Sequence, residues 1–217
     1  MRIETERLRL RTWEDADRDD FAALNADPIV MGDLGGPLDR GDSDSKFDRY
    51  LEAYKSNRYG RWLVETIDGE FLGYCGVMPV RDDHPIGLHD EIGWRLIRKA
   101  WGNGYATEAA RAALIDVFRR VKLLEVLAYT APDNLRSQAV MKRLQLKRDV
   151  SRDFTICSNR VGTWQGLVWR AQSDFLASAG AVPELASEST NEGAPPNNAC
   201  SGPQARCARL AAADREC

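Results

Sequence analysis

Long apolar runs are missing from this 217-residue chain, and so is a strong excess of charge of either sign. No stretch approaches the ~20 apolar residues that a membrane helix needs. Thirty Lys and Arg stand against 33 Asp and Glu, a formal net charge of -3, so no overall basic field would draw in nucleic acid or an anionic membrane. We expect neither partner. Histidine is scarce, with only His84 and His89, and the five cysteines contain no CxxC pair. Cys75 and Cys157 lie in the patterned part of the chain, and Cys200, Cys207 and Cys217 near its end, which makes neither a zinc framework nor a disulfide one. We expect no metal, and read His84 and His89 as solvated loop residues. The opening Met1 to Arg7 carries acids and lacks the apolar stretch of a secretory signal, so the cytoplasm is the expected compartment.

What the chain does have is an ordered alternation of strand-like and helix-like segments over residues 1–172. Ile3 to Arg11 reads as a strand, and Asp15-Ala16-Asp17 opens a helix to about Ala26. A Gly-rich loop from Gly32 to Gly41 precedes a helix from about Ser43 to Tyr59. Trp62 to Thr66 and Phe71 to Val80 form a hairpin across Asp68-Gly69. Then come a strand at Glu91 to Ile97, a long helix from Gly104 to Val121, a strand at Leu124 to Thr130 and a helix at Leu135 to Leu144. Strands at Lys147 to Phe154 and Thr163 to Arg170 finish an α/β domain with a mixed sheet and helices on both faces. From residue 173 to 217 the composition turns to Ala, Ser, Gly, Pro and Asn, which buries too little apolar surface to offset ordering entropy, so we expect a disordered tail.

The chemistry concentrates in Glu91 to Ala109. A strand, a short loop with Gly102 and Gly104, and a helix start follow one another. Glycines let main-chain N–H groups approach a ligand closely, and the unpaired amides of a helix start add positive potential, the arrangement that holds a pyrophosphate. The two glycines alone are weak, since a tight connection uses them as well.

The neighbouring residues are more specific. Trp101-Gly102-Asn103-Gly104-Tyr105-Ala106 with Thr107-Glu108-Ala109, and Thr130 to Met141 with Asn134 and Ser137, resemble the two signatures of the GNAT superfamily of N-acetyltransferases, in its RimJ/RimL-like branch. Thr5 to Arg11 and Gly73-Tyr74-Cys75-Gly76 are similar to the same branch, so the resemblance spans about residues 3 to 170. It implies a GNAT fold: a central, mostly antiparallel sheet splayed at the cofactor strand. It implies acetyl-CoA as donor, with the diphosphate on the amides of Trp101, Gly102, Asn103, Gly104, Tyr105 and Ala106, and a hydroxyl bond from Thr107. The backbone of Leu96 and Ile97 would pair with the pantetheine as with an added strand. Asn134 and Ser137 would meet the same arm, and Asn134 also fits a helix cap.

The resemblance further implies direct attack by a primary amine in a ternary complex, with Glu91 as base. The alternative for Glu91 is an exposed carboxylate at a strand end. Asp90 points to the opposite face by alternation. The tyrosine that many superfamily members use to protonate the thiolate corresponds here to Met141, which leaves Ser137 or water. Trp94 and Tyr74 are core residues before they are cleft residues. Gln145 stands where relatives place a helix-ending Gly. The acceptor is a protein N-terminus or a small molecule, and a homodimer is compatible with the reading. Two rivals stand beside it. A dinucleotide-binding oxidoreductase fits Gly102-x-Gly104 but lacks the third glycine. A non-catalytic acyl-CoA sensor or partner-binding domain fits the missing Tyr.

Overall fold

A computed structural model describes residues 1–81, 83–158 and 162–178. Its strands form one sheet in the order β1-β2-β3-β4-β5-β6-β9-β7, with β8 paired to β9. The strands are β1 (Arg2–Glu4), β2 (Leu8–Arg11), β3 (Arg61–Thr66), β4 (Phe71–Val80), β5 (His89–Leu96), β6 (Glu125–Thr130), β7 (Lys147–Arg148), β8 (Phe154–Ser158) and β9 (Gly162–Gln172). The helices are α1 (Arg18–Ala26), α2 (Arg40–Asn57), α3 (Tyr105–Asp116), α4 (Leu135–Arg143) and α5 (Phe175–Ser178).

The α/β fold expected from the sequence is present, and so is the splay. β5 pairs with β4 over eight positions, from Val80↔His89 to Gly73↔Leu96, but meets β6 in parallel only at Glu91↔Leu127. Beyond that rung the two strands separate, which opens a gap along Gly93 to Leu96. All other strand pairs are antiparallel.

Two apolar layers hold the sheet. One face packs Ala109, Ala110, Ala113 and Leu114 of α3 against Val77, Ile92, Leu96 and Val126. Small alanines bring α3 close to the strands. The other face packs aromatics, with Trp13, Phe21, Phe47 and Tyr50 meeting edge-to-face at centroid distances of 5.0 to 5.5 Å. Such contacts add to the area they bury.

Several boundaries depart from the sequence expectation, each for a local reason. Ile3 to Arg11 is a hairpin, not one strand: Arg2 pairs with Arg11, and the Thr5 hydroxyl accepts from Leu8 N–H (3.0 Å) inside the turn. Helix α2 begins three residues early because Asp39 caps it, accepting from Asp42 N–H at 2.8 Å, and it ends at Arg58 in the left-handed region (φ 64°). The long helix from 104 ends as α at Asp116 and closes with a π turn over Val117–Val121. Lys147 to Phe154 is broken: Val150–Arg152 is a 3₁₀ turn between β7 and β8. There the Asp153 carboxylate takes Val168 N–H (2.9 Å) and the Arg148 guanidinium (2.5 Å), replacing a strand ladder. The fold also runs past residue 172, since α5 buries Phe175, 6.2 Å from Phe118, and Asp174 pairs with Lys147 at 3.0 Å. Of the tail expected over 173–217, residues 179–217 lie outside the described residues.

Candidate active site

The loop from β5 to α3 is built by conformation and then clamped. Gly102 and Gly104 both have φ of 81°, which disfavours any residue with a Cβ. A Cβ at Gly102 would meet nothing within 4 Å, so the requirement there is backbone shape and not space. Trp101 anchors the loop, its indole N–H donating to the Leu96 carbonyl at 2.8 Å while the Arg136 guanidinium lies 3.9 Å from its ring. Asn103 caps inward, donating to the Trp101 carbonyl at 3.2 Å.

The clamp comes from the β1–β2 turn. Arg7 donates to the Asn103 carbonyl (3.0 Å) and to Glu108 Oε2 through Nε (2.8 Å) and Nη2 (2.5 Å). Thr5 Oγ1 donates to Glu108 Oε1 at 2.6 Å, and Arg7 N–H at 3.1 Å. Burial alone would push the Glu108 carboxyl up, but the bonds from Thr5 and Arg7 hold it below its ordinary value. The first amides of α3 have no acceptor inside the helix, as in any helix start. Beside them the Thr107 hydroxyl is buried with no hydrogen-bond partner. A ligand rich in oxyanions is what such a nest accepts.

On the gap itself, Ile97 N–H is bonded to the Leu72 carbonyl (2.9 Å) and so faces β4. By alternation Trp94 and Leu96 turn their main chain toward the gap. Across it, Asn134 caps α4, its side-chain oxygen accepting from Ser137 N–H at 3.1 Å, and its amide donates to Asp33 Oδ2 at 2.8 Å. Ser137 is half-buried in the first turn of α4, and Met141, one turn further, is buried. Gln145 holds a left-handed φ of 58° after α4, the strained cap expected of a non-glycine there.

The α1/α2 face of the sheet carries buried charge. Glu91 sits on β5 with its Oε2 against Arg61 Nη2, and Arg61 Nη1 also donates to the carbonyls of Gly76 and Glu91. Glu91 is therefore ion-paired, and not the exposed strand-end carboxylate of the alternative reading. Gly93 makes room for this, since a Cβ there would stand 2.8 Å from Arg61 Nη2. Burial opposes the Arg61 charge most, but Glu91 together with the phenols of Tyr50, Tyr74 and Tyr129 outweighs it, and the guanidinium stays protonated. Asp90 lies on the other face, accepting from Tyr59 OH at 2.6 Å. Tyr74 is buried beside Tyr50, 5.3 Å between rings. Burial would raise its phenol, yet Lys46, Arg95, the Tyr50 hydroxyl and Arg61 bring it down to about 7. Trp94 is partly buried against the α3 layer.

His84 and His89 are not solvated. Their rings pack 4.9 Å apart, His84 stacks on Tyr129 at 5.3 Å and meets Phe154 at 4.7 Å, and the Nε2 of each is buried without a partner. Burial first, then the neighbouring His89, lowers the His84 pKa. Among the described residues no three His, Cys, Asp or Glu side chains gather as a metal site, and no helix is long and apolar enough to cross a membrane. Sequence reasoning gave no role to Arg7, Arg61, Arg95, Asp33 or Arg136. Their partners lie up to 101 residues away, as for Arg7 with Glu108 and Asp33 with Asn134, so no local pattern marks them.

Comparison with known proteins agrees with this geometry. The family profile described as "Acetyltransferase (GNAT) domain" matches residues 7–147. The chain is 34% identical over 145 residues to the uncharacterized protein YkkB of Bacillus subtilis, covering 66% of this chain and 83% of that one. It is 37% identical over 150 residues to the uncharacterized N-acetyltransferase YnaD of the same organism, covering 69% and 84%. An acetyltransferase from Agrobacterium tumefaciens superposes with a TM-score of 0.67 at 27% identity, over 79% of this chain and 94% of that one. The ribosomal L7/L12 α-N-protein acetyltransferase RimL, solved with coenzyme A, superposes at 0.64 with 13% identity over 79% and 98%, a likeness of fold. A nested glycine loop behind a splayed strand, matched along 7–147, means that the chain belongs to the GNAT acetyltransferase family and is an acetyltransferase.

Proposed function

We propose that this enzyme moves acetyl from acetyl-CoA to a primary amine by direct attack in a ternary complex. The observation that carries the reading is the loop itself: two left-handed glycines, clamped by Arg7, beside the partnerless Thr107 hydroxyl and the opening amides of α3. The amides of Gly102 to Ala106 and the Thr107 hydroxyl receive the diphosphate. Leu96 and Trp94 offer main-chain groups to the pantetheine, in place of the Ile97 amide that is spent on Leu72. Asn134 orients the same arm while capping α4.

An amine starts mostly protonated at neutral pH, with ordinary values of ~8 for an α-amino group and ~10.4 for Lys. Arg61 occupies Oε2 of Glu91, so Oε1 takes the ammonium proton directly or through a water. The neutral amine nitrogen then bonds to the thioester carbon and gives up a second proton to water, the C–S bond breaks, and the thiolate takes a proton from water or from the Ser137 hydroxyl, which water reprotonates. We assign the chain to the RimJ/RimL-like branch, on Thr5–Arg11 and Trp101–Ala109, and take it to work in the cytoplasm on a protein N-terminus or a small-molecule amine. The ion-paired Glu91 and the buried Met141 favour a second reading, a non-catalytic acyl-CoA sensor.

Calorimetry with CoA and thiol release with acetyl-CoA and an amine panel test both. We expect binding, and release that needs an amine and falls in Glu91→Gln. Binding without release on any amine moves the protein to the sensor reading, and no binding removes the donor site altogether.

A further inference from the structure

The face that holds Glu91 has more positive charge than its own carboxylates neutralise. Arg61, Arg95 and Lys46 converge there on the phenols of Tyr50 and Tyr74. On the other side of the account, Glu91 is committed to Arg61. Asp33 approaches Arg95 Nη1 only to 3.7 Å, beyond hydrogen-bond reach, and its Oδ2 is taken by Asn134.

Arg95 is the cation with unused capacity. Its side chain is 10% exposed, on the last strand turn before Leu96 and the gap. Nη1 is satisfied by the Val30 carbonyl at 2.8 Å and the Met31 sulfur at 3.0 Å. Nε is buried and has no acceptor. Beyond the Tyr74 hydroxyl, which also bonds it, the guanidinium keeps one edge without an acceptor; in a buried place that costs free energy, and the planar edge is shaped for a carboxylate. Lys46 stands behind it, 5.6 Å over the Tyr74 ring, donating to Asn25 Oδ1 at 3.3 Å. Burial lowers the Lys46 pKa and Arg95 adds to this, with the Tyr74 phenol opposing.

We propose that the acceptor is an amine that carries a carboxylate, received at the Nε edge of Arg95 with Lys46 as the supporting charge. This rests on the acetyl-transfer reading above and narrows its substrate to amino acids or molecules built like them. A polyamine, whose charge is positive throughout, is disfavoured by the same cations. Arg95 is here a specificity residue: it holds the acceptor and takes no part in proton transfer.

The test needs only the unmodified protein at first. Thiol release is measured with acetyl-CoA and matched acceptors, amino acids against their carboxamides and against simple alkylamines and polyamines. Carboxylate acceptors should show kcat/KM about 10- to 100-fold above their carboxamides, most of it in KM, as expected for a charge-assisted pair. In Arg95→Gln that ratio should collapse toward one, and Arg95→Lys should restore part of it; circular dichroism confirms that each variant folds. Equal turnover of acids and amides in the unmodified protein overturns the inference, with acetyl transfer left standing. So does a preference that survives Arg95→Gln. Absence of CoA binding, read separately by calorimetry, removes the parent reading and this one with it.

Discussion

The two faces of the sheet solve different problems with different materials. Behind the strands, α3 lays Ala109, Ala110, Ala112 and Ala113 against aliphatic residues, its carboxylates Glu108 and Asp116 are tied off by Arg7 and Arg120, and the glycine loop before it presents main-chain groups. In front, the layer under α1 and α2 is aromatic and encloses Arg61, Arg95 and Lys46. A main-chain site recognises what every substrate of a family shares, while a side-chain site recognises what distinguishes one acceptor from another. On the proposed assignment the donor would be read by main-chain groups and the acceptor by side chains.

The sharpest way to break that contrast is to remove charge from the front face. Arg61→Met leaves Glu91, its side chain 18% exposed, beside an apolar side chain, and losing one partner of such a pair costs up to about 3–5 kcal/mol. Urea unfolding should register a loss of that order, and a change below about 1 kcal/mol would mean that water already serves Glu91.

A smaller effect is expected on the back. Gly104→Val forces a β-branched residue to φ of 81° and turns the loop amides away, so CoA affinity should fall about 10- to 100-fold, the worth of one charge-assisted bond. Calorimetry checks this, and unchanged affinity would detach the loop from the donor.

The smallest is a pH effect in the clamp. Because bonds from Thr5 and Arg7 depress the folded Glu108 pKa, its stabilisation is present above the unfolded value of about 4.3 and is lost as pH falls through the folded value. The stability difference between the parent and Glu108→Gln should be flat at neutral pH and shrink below about pH 4. A difference constant down to pH 2 would show that the carboxylate charge is not what the clamp uses.

The same contrast decides what could be read from the sequence. Gly102 and Gly104 are legible because a left-handed backbone demands glycine and the demand is local. The sheet and its splay follow from hydrophobic alternation and the resemblance over residues 3 to 170. Lys147 to Phe154 misleads because the Asp149 carboxylate accepts from the Ser151 hydroxyl and the Asp153 carboxylate from Val168 N–H, choices invisible to alternation. Ile3 to Arg11 misleads because a four-residue turn hides in a short run of alternating residues. The pairs Arg7–Glu108, Arg61–Glu91 and Arg95–Asp33 join residues 101, 30 and 62 positions apart, so each looks like ordinary surface charge in the chain. His84 and His89 look solvated in the sequence because Pro85 and Gly87 make their loop polar, while the rings that pack on His84, Tyr129 and Phe154, come much later.

Asp33 reaches in two directions at once, toward the strand end through Arg95 and toward the start of α4 through Asn134. The wall proposed to meet the amine and the wall proposed to seat the donor are thus moored to a single carboxylate at the rim. Neither bank can drift without tugging on the other, so a substitution at this one position would be felt by both substrates, although it belongs to neither signature.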